Sequence, residues 1–173
     1  MKVLRWVAPL ALMMFSGQAL AQGAPKQLYN KSITLSFIRA QMMKSTTGVT
    51  RGSSPFQESH IYVSSSGRIF HRAAVHVAAN ARRSSDSGPG DDVKSAKFSG
   101  SQLVVVMQLQ SGAALLAASF DPGFSSCTLS VTFGKEGGKN MRFAGLDGNQ
   151  YEITSIKAER PSCSIKDGNI FGN

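Results

Sequence analysis

The sequence predicts an all-β protein: one antiparallel domain, a β-sandwich or a small β-barrel, behind an N-terminal leader. Three observations carry that expectation. Apolar residues recur at period two along most of the chain, as strands with one buried face require. Clusters of Gly, Pro, Asp and Ser recur about every 8–12 residues, the spacing of short antiparallel strands. No stretch combines helical periodicity with an N-cap, and no repeat of fixed length appears.

The leader comes first. Lys2 and Arg5 precede an apolar run over 7–15, and Ala19, Leu20 and Ala21 form a small-residue cleavage signature before Gln22. This reads as a secretory signal peptide over 1–21, followed by one domain over 22–173. Removing 21 of 173 residues leaves 152, enough to bury a core without staples. It also removes the only tryptophan, Trp6. The expected compartment is periplasmic or extracellular, and no segment is apolar for long enough to be a transmembrane helix.

The elements follow in order. Residues 22–26 read as a loose leader. Ile33, Leu35 and Phe37 alternate with Ser32, Thr34 and Ser36, which predicts a strand. Residues 39–50 read as a strand end running into a loop. Ile61, Tyr62 and Val63 are separated from Ile69 and Phe70 by three serines and Gly67, which predicts a hairpin. Residues 71–83 are open between helix and strand; the running alternation favours a strand to about Val77.

Residues 82–92 hold Pro89, several Ser and Gly, and three aspartates, which predicts a loop exposed to proteolysis. Ala96, Lys97 and Phe98 make a short strand. Residues 103–107 are continuously apolar, as in a central strand covered on both faces. Gln110, Ser111 and Gly112 turn into an apolar strand over 113–120. Asp121, Pro122 and Gly123 make a tight turn, with positive φ expected at the glycine.

The clearest alternation follows: Cys127, Leu129, Val131 and Phe133 on one face, with Ser126, Thr128, Ser130 and Thr132 on the other. Residues 134–139 read as a loop, 141–143 as a short strand, Asp147 and Gly148 as a hairpin turn, and 151–156 as another strand. A segment around Cys163 and a second Asp-Gly pair, Asp167 and Gly168, complete the chain.

Cys127 and Cys163 are the only cysteines. An even count behind a signal peptide predicts one disulfide, worth about 3–4 kcal/mol through loop-closure entropy.

Nineteen Lys and Arg face ten Asp and Glu, a net charge of +9. Two of those cations leave with the leader, so the expected domain carries +7. Such a domain is attracted to anionic polysaccharide, lipid headgroups or acidic proteins, or its charge serves solubility alone. The cations are scattered. Arg82 and Arg83 are the only adjacent pair, which argues against a dedicated nucleic-acid segment.

No catalytic, cofactor or metal signature stands out. His71 and His76 are five apart, on opposite faces of a strand, and with His60 they read as surface or rim histidines rather than metal ligands. No Gly-x-Ser-x-Gly elbow marks a serine nucleophile. Asp121, Asp147 and Asp167 have turn chemistry as their explanation, and Asp91 and Asp92 read as a solvated pair rather than an acid–base couple. Gly137 and Gly138 lack P-loop spacing, and Asn30, Lys31 and Ser32 match a glycosylation sequon that matters only in a glycosylating source.

Arg72 is the residue with most to offer. On a strand it shares a face with Phe70, Ala74 and His76, a cationic floor for planar anions or an ordinary solvated face. The sequence therefore favours a non-catalytic binding domain without cofactor. Its candidate contacts are Arg72, His76, Arg82 and Arg83. The alternatives are a calycin-like barrel holding a small apolar ligand and a secreted hydrolase.

Overall fold

The computed structural model describes residues 23–78, 81–85, 96–109, 112–134, 142–144 and 148–172, with 74–78, 81–85, 112 and 142–144 as backbone alone. The expected leader, the loop segment 86–95 and the glycine pair of 134–139 lie outside the described residues.

Among the described residues, eleven strands form two antiparallel sheets. The larger contains β1 (Lys31–Ser45), β2 (Thr50–Ser53), β3 (Phe56–Val63), β4 (Ile69–Ala78), β5 (Ala81–Ser85), β10 (Arg142–Ala144) and β11 (Gln150–Asp167). Its order is β10-β11-β1-β3-β4-β5, with β2 beside the second half of β1. The smaller is a meander of β6 (Ala96–Ser99), β7 (Gln102–Leu109), β8 (Gly112–Phe120) and β9 (Cys127–Phe133).

The period-two pattern places the core. Ile33, Leu35, Phe37, Ile61 and Val63 from the large sheet are fully buried in one cluster with Leu103, Val105, Leu116 and Ala118 from the small one. Phe37 of β1 meets Phe133 of β9 edge to face at 6.1 Å. The described ladders make two sheets over a shared core, a sandwich, rather than one closed barrel. Leu28, in a 3-10 turn over Lys26–Leu28, is fully buried in the same cluster.

The Cys127–Cys163 disulfide bridges the sheets, from β9 to β11. As the alternation of 127–133 requires, Cys127, Leu129, Val131 and Phe133 all pack on the core side. No helix among the described residues is long and apolar enough to cross a membrane.

Several elements depart from expectation for identifiable reasons. The segment 39–45 continues β1 instead of ending it. Arg39 and Gln41 interrupt the apolar pattern yet keep its parity and face inward, 7 % and 8 % exposed. The strand expected over 151–156 runs on through the segment around Cys163, so that residues 150–167 form one strand. Pro161, which lacks an amide hydrogen, is absorbed by a bulge at which Arg160 adopts φ 51°. Arg82 and Arg83 belong to β5, paired with β4, so the first part of the loop expected over 82–92 is strand.

β7 is central in its sheet but covered on one face only: Leu103, Val105 and Met107 are buried while Val104 and Val106 are partly exposed. In the β8–β9 turn the positive φ, 55°, falls at Phe124 rather than at Gly123. The Asp121 carboxylate accepts hydrogen bonds from the amides of Ser125 and Ser126, both at 2.7 Å, and this fixes the turn. The Phe124 ring is buried against Phe120, 5.5 Å away, which offsets the backbone cost.

Candidate functional site

The outer face of the large sheet is built by the residues that alternate with the core. Three rungs cross β11, β1, β3 and β4: Lys166, Ser32, Tyr62, Phe70; then Ser164, Thr34, His60, Arg72; then Ser162, Ser36, Glu58, Ala74. Cross-strand neighbours in such a row lie close enough to interact directly.

At the first rung the chain's own C-terminal segment folds back over Ser32. Gly168, at φ 88°, reverses the chain, and its amide donates to the Asn30 carbonyl at 2.7 Å. Ser32 anchors the returning segment and is only 3 % exposed beneath it. Its hydroxyl donates to the Gly168 carbonyl at 2.6 Å and accepts from the Ile170 amide at 2.9 Å. The Asn169 side chain closes a small turn by bonding the Phe171 amide and the Gly172 carbonyl.

This brings Phe171 onto the Arg72 guanidinium, 4.9 Å from ring centroid to charge centre. Arg68 sits 5.7 Å over Phe70, and Phe70 lies 5.9 Å from Tyr62. Between them is an open pocket of about 250 Å3 lined by Tyr62, Phe70, His71, Arg72, Asn169, Phe171 and Gly172. A guanidinium stacked on a ring is held in orientation and offers planar donors to an anion.

On the second rung His60 is flanked by polar groups. Its Nδ1 lies 3.2 Å from the Thr34 hydroxyl and its Nε2 lies 3.7 Å from the Glu58 carboxylate. This orders hydroxyl, imidazole and carboxylate on one face. The backbone amides of β1 and β3 at these positions lie within ladders, where they are not arranged as a pair of donors for an oxyanion.

His71 departs from the rim position expected of it. It is buried, 8 % exposed, and its Nε2 is 2.5 Å from the Ser59 hydroxyl inside the sandwich. No group of three or more His, Cys, Asp and Glu residues among those described is placed to hold a metal ion.

Arg72 lies on the outer face beside Phe70, as the alternation implies. His76 pairs with Phe56 of β3 and Arg82 of β5, and Arg83 pairs with Val75. The register therefore puts the Arg82 backbone four strand positions from Arg72, about 13 Å along the sheet. Tyr62 was within reach of sequence reasoning, because it alternates on β3 as Phe70 does on β4. Asn169 and Phe171 were not, because their place depends on a fold-back onto Ser32, over a hundred residues away.

A second pocket of about 310 Å3, lined by Lys44, Thr46, Tyr151, Glu152 and Thr154 among others, lies where β1 and β11 end their pairing. It mixes charges of both signs and has no arginine in its lining.

In comparisons with known proteins, no family model, no curated protein and no solved structure matches this chain.

Proposed function

We propose that this protein is a non-catalytic binding domain that holds an anionic partner on the outer face of its large sheet. The observation that carries the reading is the Arg72 guanidinium stacked on Phe171 at the edge of a pocket walled by Tyr62 and Phe70. Stacking fixes the charge, and the rings flank it with apolar surface. The chain's net charge of +9 acts in the same direction by drawing anions toward the surface. Arg82 lies on the neighbouring strand opposite His76, in register with the outer-face row that holds Arg72, and Arg83 lies opposite Val75.

Hydrolysis is the second reading, and the Thr34, His60 and Glu58 array is the observation in its favour. The hydroxyl belongs to a threonine on a central strand, and the neighbouring amides are ladder groups. Binding is therefore the stronger reading.

The test is retention of the purified protein on an anionic polysaccharide matrix across a salt gradient. Wild type elutes above the salt at which Arg72→Gln elutes, and changing Arg72, Arg82 and Arg83 together to Ser abolishes retention. Equal elution of all three proteins overturns the assignment of this face.

A further inference from the structure

We infer that the partner is an acidic glycan, and that the pocket takes a hexuronate unit of it. This rests on the anion-binding reading above and names its ligand class.

A uronate sugar presents three chemistries on one small ring: a C–H face that packs on aromatic rings, hydroxyl groups at its rim and a carboxylate. The outer face offers the complement of each within neighbouring rungs. Tyr62 and Phe70 form a tilted aromatic pair at 5.9 Å, with Phe171 as the opposite wall. Arg72 supplies a stacked guanidinium, the side chain best shaped for bidentate contact with a carboxylate. Beside them lie the hydroxyl groups of Thr34, Ser36, Ser162 and Ser164, the last two exposed. Four strands at about 4.8 Å spacing make a row of about 14 Å, so a glycan crossing the strands meets rings, cation and hydroxyl groups in succession.

The other anionic partners fit this face less well. A nucleic-acid strand needs cations repeated along its phosphates. Here Arg72 is stacked on Phe171 and Arg68 on Phe70, the exposed Lys166 stands at the other end of the first rung, and Glu58 puts a carboxylate on the third, so the cations do not repeat along a line. A lipid surface needs large apolar side chains projecting around the cations. Ile170 is exposed beside the pocket, but Phe56, exposed on the same face, lies four strand positions, about 13 Å, from the rung of Arg72, and Val49 and Leu115 project from other parts of the fold.

The experiment is titration calorimetry of the full-length purified protein at about 0.1 M salt, where surface attraction is already partly screened. The probes are polygalacturonate, neutral dextran, dextran sulfate, a thymidine oligonucleotide and phosphatidylglycerol vesicles. Polygalacturonate binds and dextran does not. Arg72→Gln weakens polygalacturonate binding about tenfold, as loss of a charge-assisted contact requires. Tyr62→Ala weakens it about fivefold through lost stacking, and Lys157→Gln, on the exposed part of β11, leaves it unchanged. Circular dichroism confirms that each variant is folded.

If dextran sulfate binds as well as polygalacturonate and Tyr62→Ala has no effect, the site reads charge alone. The glycan assignment then falls while the anion site stands. Tighter binding of the oligonucleotide or the vesicles through Arg72 has the same consequence. If none of the anionic probes binds, both readings fall.

Discussion

At the scale of single residues, the interior holds a conflict with the usual rules of burial. Gln57 has no exposed surface, and neither its amide nitrogen nor its amide oxygen has a hydrogen-bond partner. An unsatisfied buried amide costs about 1–3 kcal/mol, so an apolar side chain of similar shape should be better accommodated. Gln57→Met is expected to raise the urea midpoint with an unchanged slope; a lower midpoint would show that the amide is bonded in solution.

Asp121 is the converse case. Its carboxyl is held below the ordinary carboxylate range chiefly by the hydrogen bond from the Ser126 amide; desolvation opposes this, and the Ser125 hydroxyl and the Ser125 and Gly123 amides add to the lowering. A depressed folded-state value means the stabilisation is present above the unfolded value, near 3.9, and is lost as pH falls through the folded value. Thermal unfolding of Asp121→Ala should show a deficit against wild type at pH 7 that shrinks steadily from pH 4 to pH 2. A deficit that is constant with pH would assign the turn's stability to something other than the charge. Gly67 is constrained from two sides, since it has φ 79° and a Cβ there would lie 2.6 Å from the Tyr29 hydroxyl. Gly67→Ala should lower the unfolding midpoint by more than the ordinary strain of about 1 kcal/mol for a side chain at positive φ.

The elements show how far alternation carries and where it stops. The strands around Ile33 and Cys127 are legible because their period-two patterns run without a break, and those around Ile61 and Phe70 because two β-rich runs flank a Gly-ended turn. The second half of β1 is not, because Arg39 and Gln41 occupy inward positions that an apolar pattern would fill. β5 is hidden because Ala, Arg, Arg, Ser, Ser has weak strand character, and only pairing with β4 orders it. Arg72 and Phe70 were readable as one face. The pocket they form was not, because its far wall is Phe171, brought there by hydrogen bonds to Ser32.

That anchor makes the C-terminal segment testable as an element. Ser32→Ala removes one donor and one acceptor beneath the segment and should cost about 1–2 kcal/mol of stability. It should also weaken polyanion binding, since Phe171 then no longer holds Arg72. Unchanged binding would mean that Arg72 acts without its ring partner.

At the scale of the molecule, two sheets of unequal size share a core and are tied by one disulfide. The sheets divide the labour. The inner faces supply the packing, the small sheet's outer face is built of Val, Ala, Leu, Ser, Thr and Gln with Lys97, and the large sheet's outer face gathers the rings, Arg72 and the hydroxyl groups. Because the bridge joins β9 to β11, replacing both cysteines by serine should cost about 3–4 kcal/mol and lower the unfolding midpoint without redirecting the ladders. Far-UV circular dichroism of that variant below its midpoint should match wild type.

The proposed anion site on the outer face of the large sheet turns on Arg72. The most direct measurement is the affinity of wild type and Arg72→Gln for one anionic polysaccharide across a series of salt concentrations. Wild-type affinity is expected to fall as salt rises, and the variant to bind about tenfold more weakly at low salt, with a shallower salt slope and an unchanged circular dichroism spectrum. Identical curves for the two proteins would contradict this role for Arg72.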